Sequence, residues 1–279
     1  MPQSRRYLLV SLCVLVAITI VWLLLRSTTP EVPEAIKRGY SEALTQARAG
    51  QPGAARVLYQ QMGRPDLSAK RRIWLHAELP NYPSPQALKL ADADLQHPNE
   101  DVRIAAIKSI SGLVSSGQRS LLIGPMLDDD VEKVRFAAVN ALLGLSPDDL
   151  GLYFGPLEQA IDAWELALKS QPPSAQNQYQ LARLHLHNAE LKEAQEALER
   201  TLQLDPGNLP ALVMQIDVLD RQGQSDAARQ LLAKQLKAQP DSAYLQHALG
   251  LWLLHHGQSE FALLGLSKAV ELEPDNKDY

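Results

Sequence analysis

Cysteine is almost missing from this chain of 279 residues: Cys13 is the single thiol. One thiol cannot close an intramolecular disulfide or supply a multi-thiolate metal site, and it excludes a Cys-x-x-Cys-His haem attachment in this sequence. Positive charge is scarce as well. Arg5, Arg6 and Arg26 stand in the first 29 positions, where there are no acids; the other 24 basic residues face 32 acidic ones, a net charge of −8. That balance disfavours nucleic acid as a partner, because phosphate backbones reward clustered positive charge. Catalytic signatures are absent too. There is no His-Glu-x-x-His, no phosphate-cradling glycine loop and no legible acid-His-Ser or Cys-His arrangement. His185 and His187 are two apart on a predicted helix and point away from each other, and His255 and His256 are adjacent, so neither pair shapes a metal site. No catalytic residue, metal ligand or cofactor is assigned, and the chain reads as a non-enzyme.

What is present is a repeat. Ala194, Ala228 and Ala262 are spaced by 34, and so are Pro206, Pro240 and Pro274, with an echo one period upstream at Ala160 and Pro172. A period held by two residue types means a helix-turn-helix solenoid whose units bury their apolar faces against their neighbours. The expected fold is an all-α solenoid, with three full units over 175–276 and a junction plus half-unit over 151–174.

The start of the chain is apolar. Residues Tyr7 to Leu25 carry only Ser11, Cys13 and Thr19 as mildly polar interruptions. At ~1.5 Å per residue the run reaches roughly 28 Å, the hydrocarbon thickness of a bilayer. Arg5 and Arg6 before it outweigh Arg26 after it, which keeps residues 1–6 cytoplasmic. The run is longer than a signal-peptide core and Leu24-Leu25-Arg26-Ser27 offers no small-x-small cleavage site, so 7–25 is expected to be an uncleaved transmembrane anchor. Residues 26–33, with Pro30 and Pro33, read as an extended tether.

Over 34–150 the helices are of another kind. Leu95–Ala106 aligns with Leu127–Ala138 at an offset of 32, each copy holding a Val-Arg-x-Ala-Ala core: Val102 to Ala106 and Val134 to Ala138. The core with its preceding acidic loop resembles the HEAT repeat. In that family a loop aspartate and the arginine link neighbouring units in a ladder. Arg103, Arg135 and the loop Asp128–Asp130 carry over, while Gln96 and His97 replace the aspartates of the first copy. Asp128–Asp130 lack the alternating ligands, glycine and terminal glutamate of an EF-hand, so a helix-capping role is expected of them.

The three 34-residue units resemble tetratricopeptide repeats. Leu181-Ala182 and Leu249-Gly250 occupy the family's first-helix Leu-Gly pair, Gly223 and Gly257 make the inter-helix turn where the first copy has Ala189, and Ala194, Ala228 and Ala262 stand where two helices touch. The resemblance implies a partner surface lined by the first helices. Its groove positions map to Tyr179, Arg183 and His187, then Val213, Asp217 and Arg221, then His247, Leu251 and His255. The lysine and asparagine clamp of chaperone-binding members is absent from these positions. After Pro274 the residues up to Tyr279 are too few for a polar cap, and 277–279 form only a tail. Either the last unit meets a partner or a second copy of the chain, giving a homo-oligomer, or the chain is truncated.

As a whole, 35–276 is similar to the HEAT-plus-tetratricopeptide region of certain bacterial multihaem c-type cytochromes, through Asp101–Ile110, Val134–Leu143 and Leu245–Leu251. The resemblance implies a bacterial envelope protein docking onto an electron-transfer or assembly complex. The reading is a single-pass inner-membrane scaffold whose repeats stand in the periplasm and bind other proteins or peptides. Two alternatives are an accessory factor in c-type cytochrome maturation or other envelope assembly, and an enzyme whose site is not legible.

Overall fold

The computed structural model describes residues 39–274, 276 and 279. The apolar run 7–25 and the tether 26–33 lie outside the described residues. Among the described residues the regular elements are helices, and no helix is long and apolar enough to cross a membrane.

The N-terminal block holds α1 (Tyr40–Arg48), α2 (Ala54–Met62), α3 (Ala69–Glu78), α4 (Pro85–Asp94), α5 (Glu100–Leu113), α6 (Ser116–Ile123), α7 (Glu132–Leu142) and the single turn α8 (Pro147–Leu150). Glycine breaks the first hairpin: Gly50 and Gly53 sit at φ +60° and +81°, a region that a Cβ disfavours. Ser84 caps α4 by accepting from the Ala87 N–H at 3.0 Å, with Pro85 in the first turn where its missing N–H costs nothing. Asn99 caps α5 in the same way, accepting from Val102 at 3.2 Å.

The two Val-Arg-x-Ala-Ala helices, α5 and α7, are tied by one arginine. Arg103 donates to the carbonyl oxygen of His97 in its own loop at 2.9 Å and to Asp129 Oδ1 in the next loop at 2.8 Å. Arg135 donates to the carbonyls of Asp129 and Asp130. The expected capping role of Asp128–Asp130 is corrected here. Val131 stands at the N-cap of α7 with no side-chain bond; Asp129 uses its carboxylate on Arg103 and on the Val131 N–H.

Helix α9 (Phe154–Ser170) follows, and then three hairpins: α10 (Ala175–His187) with α11 (Leu191–Leu204), α12 (Leu209–Arg221) with α13 (Ser225–Ala238), and α14 (Ala243–His255) with α15 (Ser259–Leu272). The 34-residue period appears as repeated physical contacts. Ser174, Asn208 and Ser242 each cap a first helix, accepting from the N–H three residues on. Each turn is closed by one long backbone bond, from Glu190 to His185, Gln224 to Leu219 and Gln258 to Leu253. Ala194, Ala228 and Ala262 are buried at the crossing of each pair. The second helices stop at Leu204, Ala238 and Leu272, two residues before Pro206, Pro240 and Pro274, because the residue preceding a proline resists helical ψ. In the last hairpin the backbones meet closely. A Cβ on Gly250 would lie 2.6 Å from Leu266 Cγ, and one on Gly265 would lie 3.0 Å from the Gln246 carbonyl oxygen.

One apolar core runs from Leu44 in α1 to Val218 in α12. A smaller one, built on Leu212, Ile216, Ala228, Leu232 and Leu245, serves the later hairpins. Helix α9 carries the first core across the change of repeat type: Leu157, Ile161, Trp164 and Leu168 are buried, and Trp164 stacks on Phe136 of α7 with ring centroids 5.3 Å apart. Beyond the second core, Leu254, Leu263 and Val270 of the last hairpin are exposed.

The turn between α10 and α11 is built from the wrong residue. Gly223 and Gly257 take φ of +77° and +72° in the second and third units, but the first unit puts Ala189 there at φ +58°. An L side chain in that region costs about 1–2 kcal/mol. Ala189→Gly is therefore expected to stabilise the chain by about 1 kcal/mol, net of the greater freedom of glycine in the unfolded state. Thermal melting followed by circular dichroism checks this; an unchanged or lower midpoint would show that the turn is not strained.

Candidate protein-binding groove

The first helices α12 and α14 enclose a cavity of about 580 Å³. Its walls are apolar, from Val213, Ile216, Ala248, Leu251 and Trp252, and its rim is polar, from Asp217, Asp220, Arg221 and His255. Such a composition, apolar walls with a few placed polar groups, is that of a ligand site. Five of the nine sequence-predicted groove residues meet here: Val213, Asp217, Arg221, Leu251 and His255. Asp217 and Arg221 form an ion pair at 2.9 Å, both about half exposed, which contributes only a few tenths of a kcal/mol to stability and stays available to a ligand. Leu251 is half exposed, an apolar anchor point left in water. Trp252 is held from behind by His256, whose ring stacks on the indole at 3.9 Å while its Nε2 meets Asp220 Oδ1 at 3.2 Å. The buried Trp252 indole N–H has no hydrogen-bond partner.

The other four predicted residues lie elsewhere. His247 stacks obliquely on Tyr279, with centroids 4.8 Å apart. Arg183 and His187 of α10 face α7 and α9 instead of a neighbouring first helix, while Tyr179 lies close enough to Tyr244 of α14 to act on it electrostatically. Arg183 donates to Asn140 Oδ1 of α7 and to Gln180 Oε1, His187 Nε2 meets Glu158 Oε1 of α9 at 3.1 Å, and Tyr179 packs against the long core. The reason is that α9 is a lone helix. With no first helix before it, Arg183 and His187 of the first unit close onto α7 and α9. His185 bonds Glu190 at 2.6 Å and so fixes its own turn.

Sequence reasoning missed two groups. Ile216, Asp220, Ala248 and Trp252 complete the cavity between α12 and α14; they lie one helical turn or less from the mapped positions, and including flanking residues would have found them. The second is an acid–His–Ser arrangement, which the sequence reading did not find. His76 on α3 brings Nδ1 to 3.0 Å from Ser109 Oγ and Nε2 to 2.9 Å from Asp94 Oδ2. Its chemistry is structural. Ser109 donates its single hydroxyl proton to the His76 carbonyl oxygen at 2.7 Å, so Nδ1 faces a lone pair and has no proton to remove. Arg72 gives Asp94 two further bonds, both at 2.9 Å. The network is almost wholly buried and clamps α3, α4 and α5 together.

Residues 190–251 match the tetratricopeptide-repeat family model. That stretch, from the end of the first unit into the third, is similar to tetratricopeptide repeats. The chain is 32% identical over 111 residues to the uncharacterised protein y4yS of Sinorhizobium fredii (strain NBRC 101917 / NGR234), a stretch that is 38% of this chain. The chain spans 61% of the length of that curated relative. Among solved structures, MamA is 21% identical, with 59% of this chain and 92% of that chain covered at a TM-score of 0.36. YrrB, described as a TPR protein with an unusual peptide-binding site, is 20% identical, with 67% and 93% covered at 0.35. Repeats of this kind suggest a protein–protein interaction scaffold.

The clamp sets an expectation in acid. Burial alone pushes the Asp94 carboxyl up, but the bonds from His76 and Arg72 outweigh it and hold the group below the usual carboxylate range. A depressed folded value means a contribution present above the unfolded value of about 3.9 and lost as pH falls through the lower folded one. Asp94→Asn leaves Arg72 and His76 without their anion and is expected to cost about 3–5 kcal/mol at pH 7. Melting curves of variant and parent should converge as pH drops below about 4. A constant gap down to strong acid would contradict the clamp.

Proposed function

We propose that this chain is a non-catalytic scaffold of the bacterial inner membrane. The 7–25 segment anchors it with the N-terminus cytoplasmic, and the repeats stand in the periplasm to bind protein or peptide partners. The charge asymmetry of Arg5 and Arg6 against Arg26 supports the orientation. The N-terminal block is read as HEAT-like, a reading that the Arg103–Asp129 bond between successive loops supports. The resemblance to the repeat region of multihaem cytochromes supports an electron-transfer or assembly complex of the envelope as the setting.

The observation that carries the binding function is the cavity between α12 and α14, where an exposed leucine and an exposed, easily opened ion pair line one apolar pocket. A peptide side chain buried there displaces water from Leu251 and Trp252, while Asp217 and Arg221 select its charge.

Affinity capture from membranes tests the reading. The parent chain is expected to retain a reproducible set of proteins. The double reversal Asp217→Arg with Arg221→Asp, made with Leu251→Asp, is expected to lose them with an unchanged helical circular dichroism spectrum. A parent chain that retains nothing, or a variant that retains the same set, would remove this cavity from the account. Release of the parent chain from membranes by alkaline carbonate would remove the anchor.

A further inference from the structure

The junction between the two repeat blocks holds a second cavity of about 760 Å³, between α5, α7, α9 and α10. Its charge runs against that of the chain. Beyond position 29 acids outnumber bases, yet the lining holds Lys108, Arg119, Lys133 and Arg183 and no carboxylate.

The partners of each cation show which are available. Arg119 donates to the carbonyl oxygens of Ser111 and Ala141, near the ends of α5 and α7. Two helix C-termini oppose its charge, so its role is to join them. Lys133 reaches Glu100 Oε1 at 3.3 Å, an exposed pair that contributes little and exchanges readily. Lys108 is exposed and has no ion pair among the described residues. Arg183 is the telling group. It is partly buried, bonds only to the amide oxygens of Asn140 and Gln180, and its guanidinium value is pushed down by burial. A cation withdrawn from water without an anion is costly, and an arriving carboxylate removes the cost.

The rest of the lining narrows the ligand. Phe136 and Trp164 form an apolar, stacked wall, and Gln176, Asn177 and Gln180 present side-chain amides along α10. Amides pair with the N–H and C=O groups of an extended peptide, and an apolar wall suits its side chains. A polyanion long enough to run beyond the pocket is disfavoured by the net charge of −8 that the chain carries beyond position 29.

We propose that this junction cavity receives an acidic peptide segment of a partner protein, with Arg183 as the carboxylate anchor and Lys108 and Lys133 as flanking charges. Guanidinium suits the anchor because its fork can meet both carboxylate oxygens. The inference rests on the scaffold reading for the class of ligand but not on the cavity between α12 and α14.

The test is fluorescence anisotropy on the full chain in neutral detergent at low salt, with labelled hexaglutamate against labelled hexaglutamine. Hexaglutamate is expected to bind and hexaglutamine to fail. Lys108→Glu with Lys133→Gln, both on the surface, should weaken binding about tenfold or more. Arg183→Gln should weaken it further, with melting curves confirming that each variant is folded. Equal binding of the two peptides, unchanged affinity in the lysine double variant, or tighter binding of a single-stranded oligonucleotide would overturn the assignment. Should hexaglutamate fail to bind while membrane proteins are still captured through α12 and α14, the junction site falls and the scaffold reading stands.

Discussion

The structure depends on one helix that stands alone, half of a 34-residue unit with no first helix before it. Solenoid units cannot bury their apolar faces alone, so a change of repeat type threatens to leave two open ends in water. Helix α9 removes that problem. Leu157, Ile161, Trp164 and Leu168 are buried along it, and the Trp164–Phe136 stack turns what would be two cores into one. The same helix explains the placement of both cavities. Because α9 has no paired first helix, the first helix α10 turns its Arg183 and His187 toward α7 and α9. The groove proper begins only between α12 and α14.

Polar contacts then divide the work. In the N-terminal block, where helices are irregular in length and the turns vary, single charged residues fix the register: Arg103 on Asp129, and Arg72 with His76 on Asp94. In the C-terminal array the register is set by backbone bonds and small residues repeated every 34 positions, and the Asp217–Arg221 pair of α12 stays within its own helix. This is why the ion pair Asp217–Arg221 can stand half exposed at a cavity rim, whereas the Arg72–Asp94 pair is nearly buried.

Legibility in the sequence followed periodicity. The alanines at 194, 228 and 262 mark helix crossings in both sequence and structure, and the prolines at 206, 240 and 274 mark helix ends, because each does the same physical task in every unit. The cap residues Ser174, Asn208 and Ser242 share the spacing but differ in type, which hid them. The His76, Asp94 and Ser109 clamp left no trace, since its members come from three helices with no repeat relation. The diversion of Arg183 was likewise invisible. Its position matches the groove register, and only the missing partner of α9 decides where it points. The available cations Lys108 and Lys133 lie on the block that was read for its ladder arginines rather than for its surface.

The central claim is that a single core joins the N-terminal block to the first 34-residue unit through α9. Hydrogen exchange read by mass spectrometry in rising urea tests it most directly. The account predicts that amides of α5, α7, α9, α10 and α11 lose protection together, and that α14 and α15, outside the long core, lose it earlier. Separate loss of protection in α5 and α7 on one side and in α10 and α11 on the other, with α9 exchanging freely between them, would contradict it.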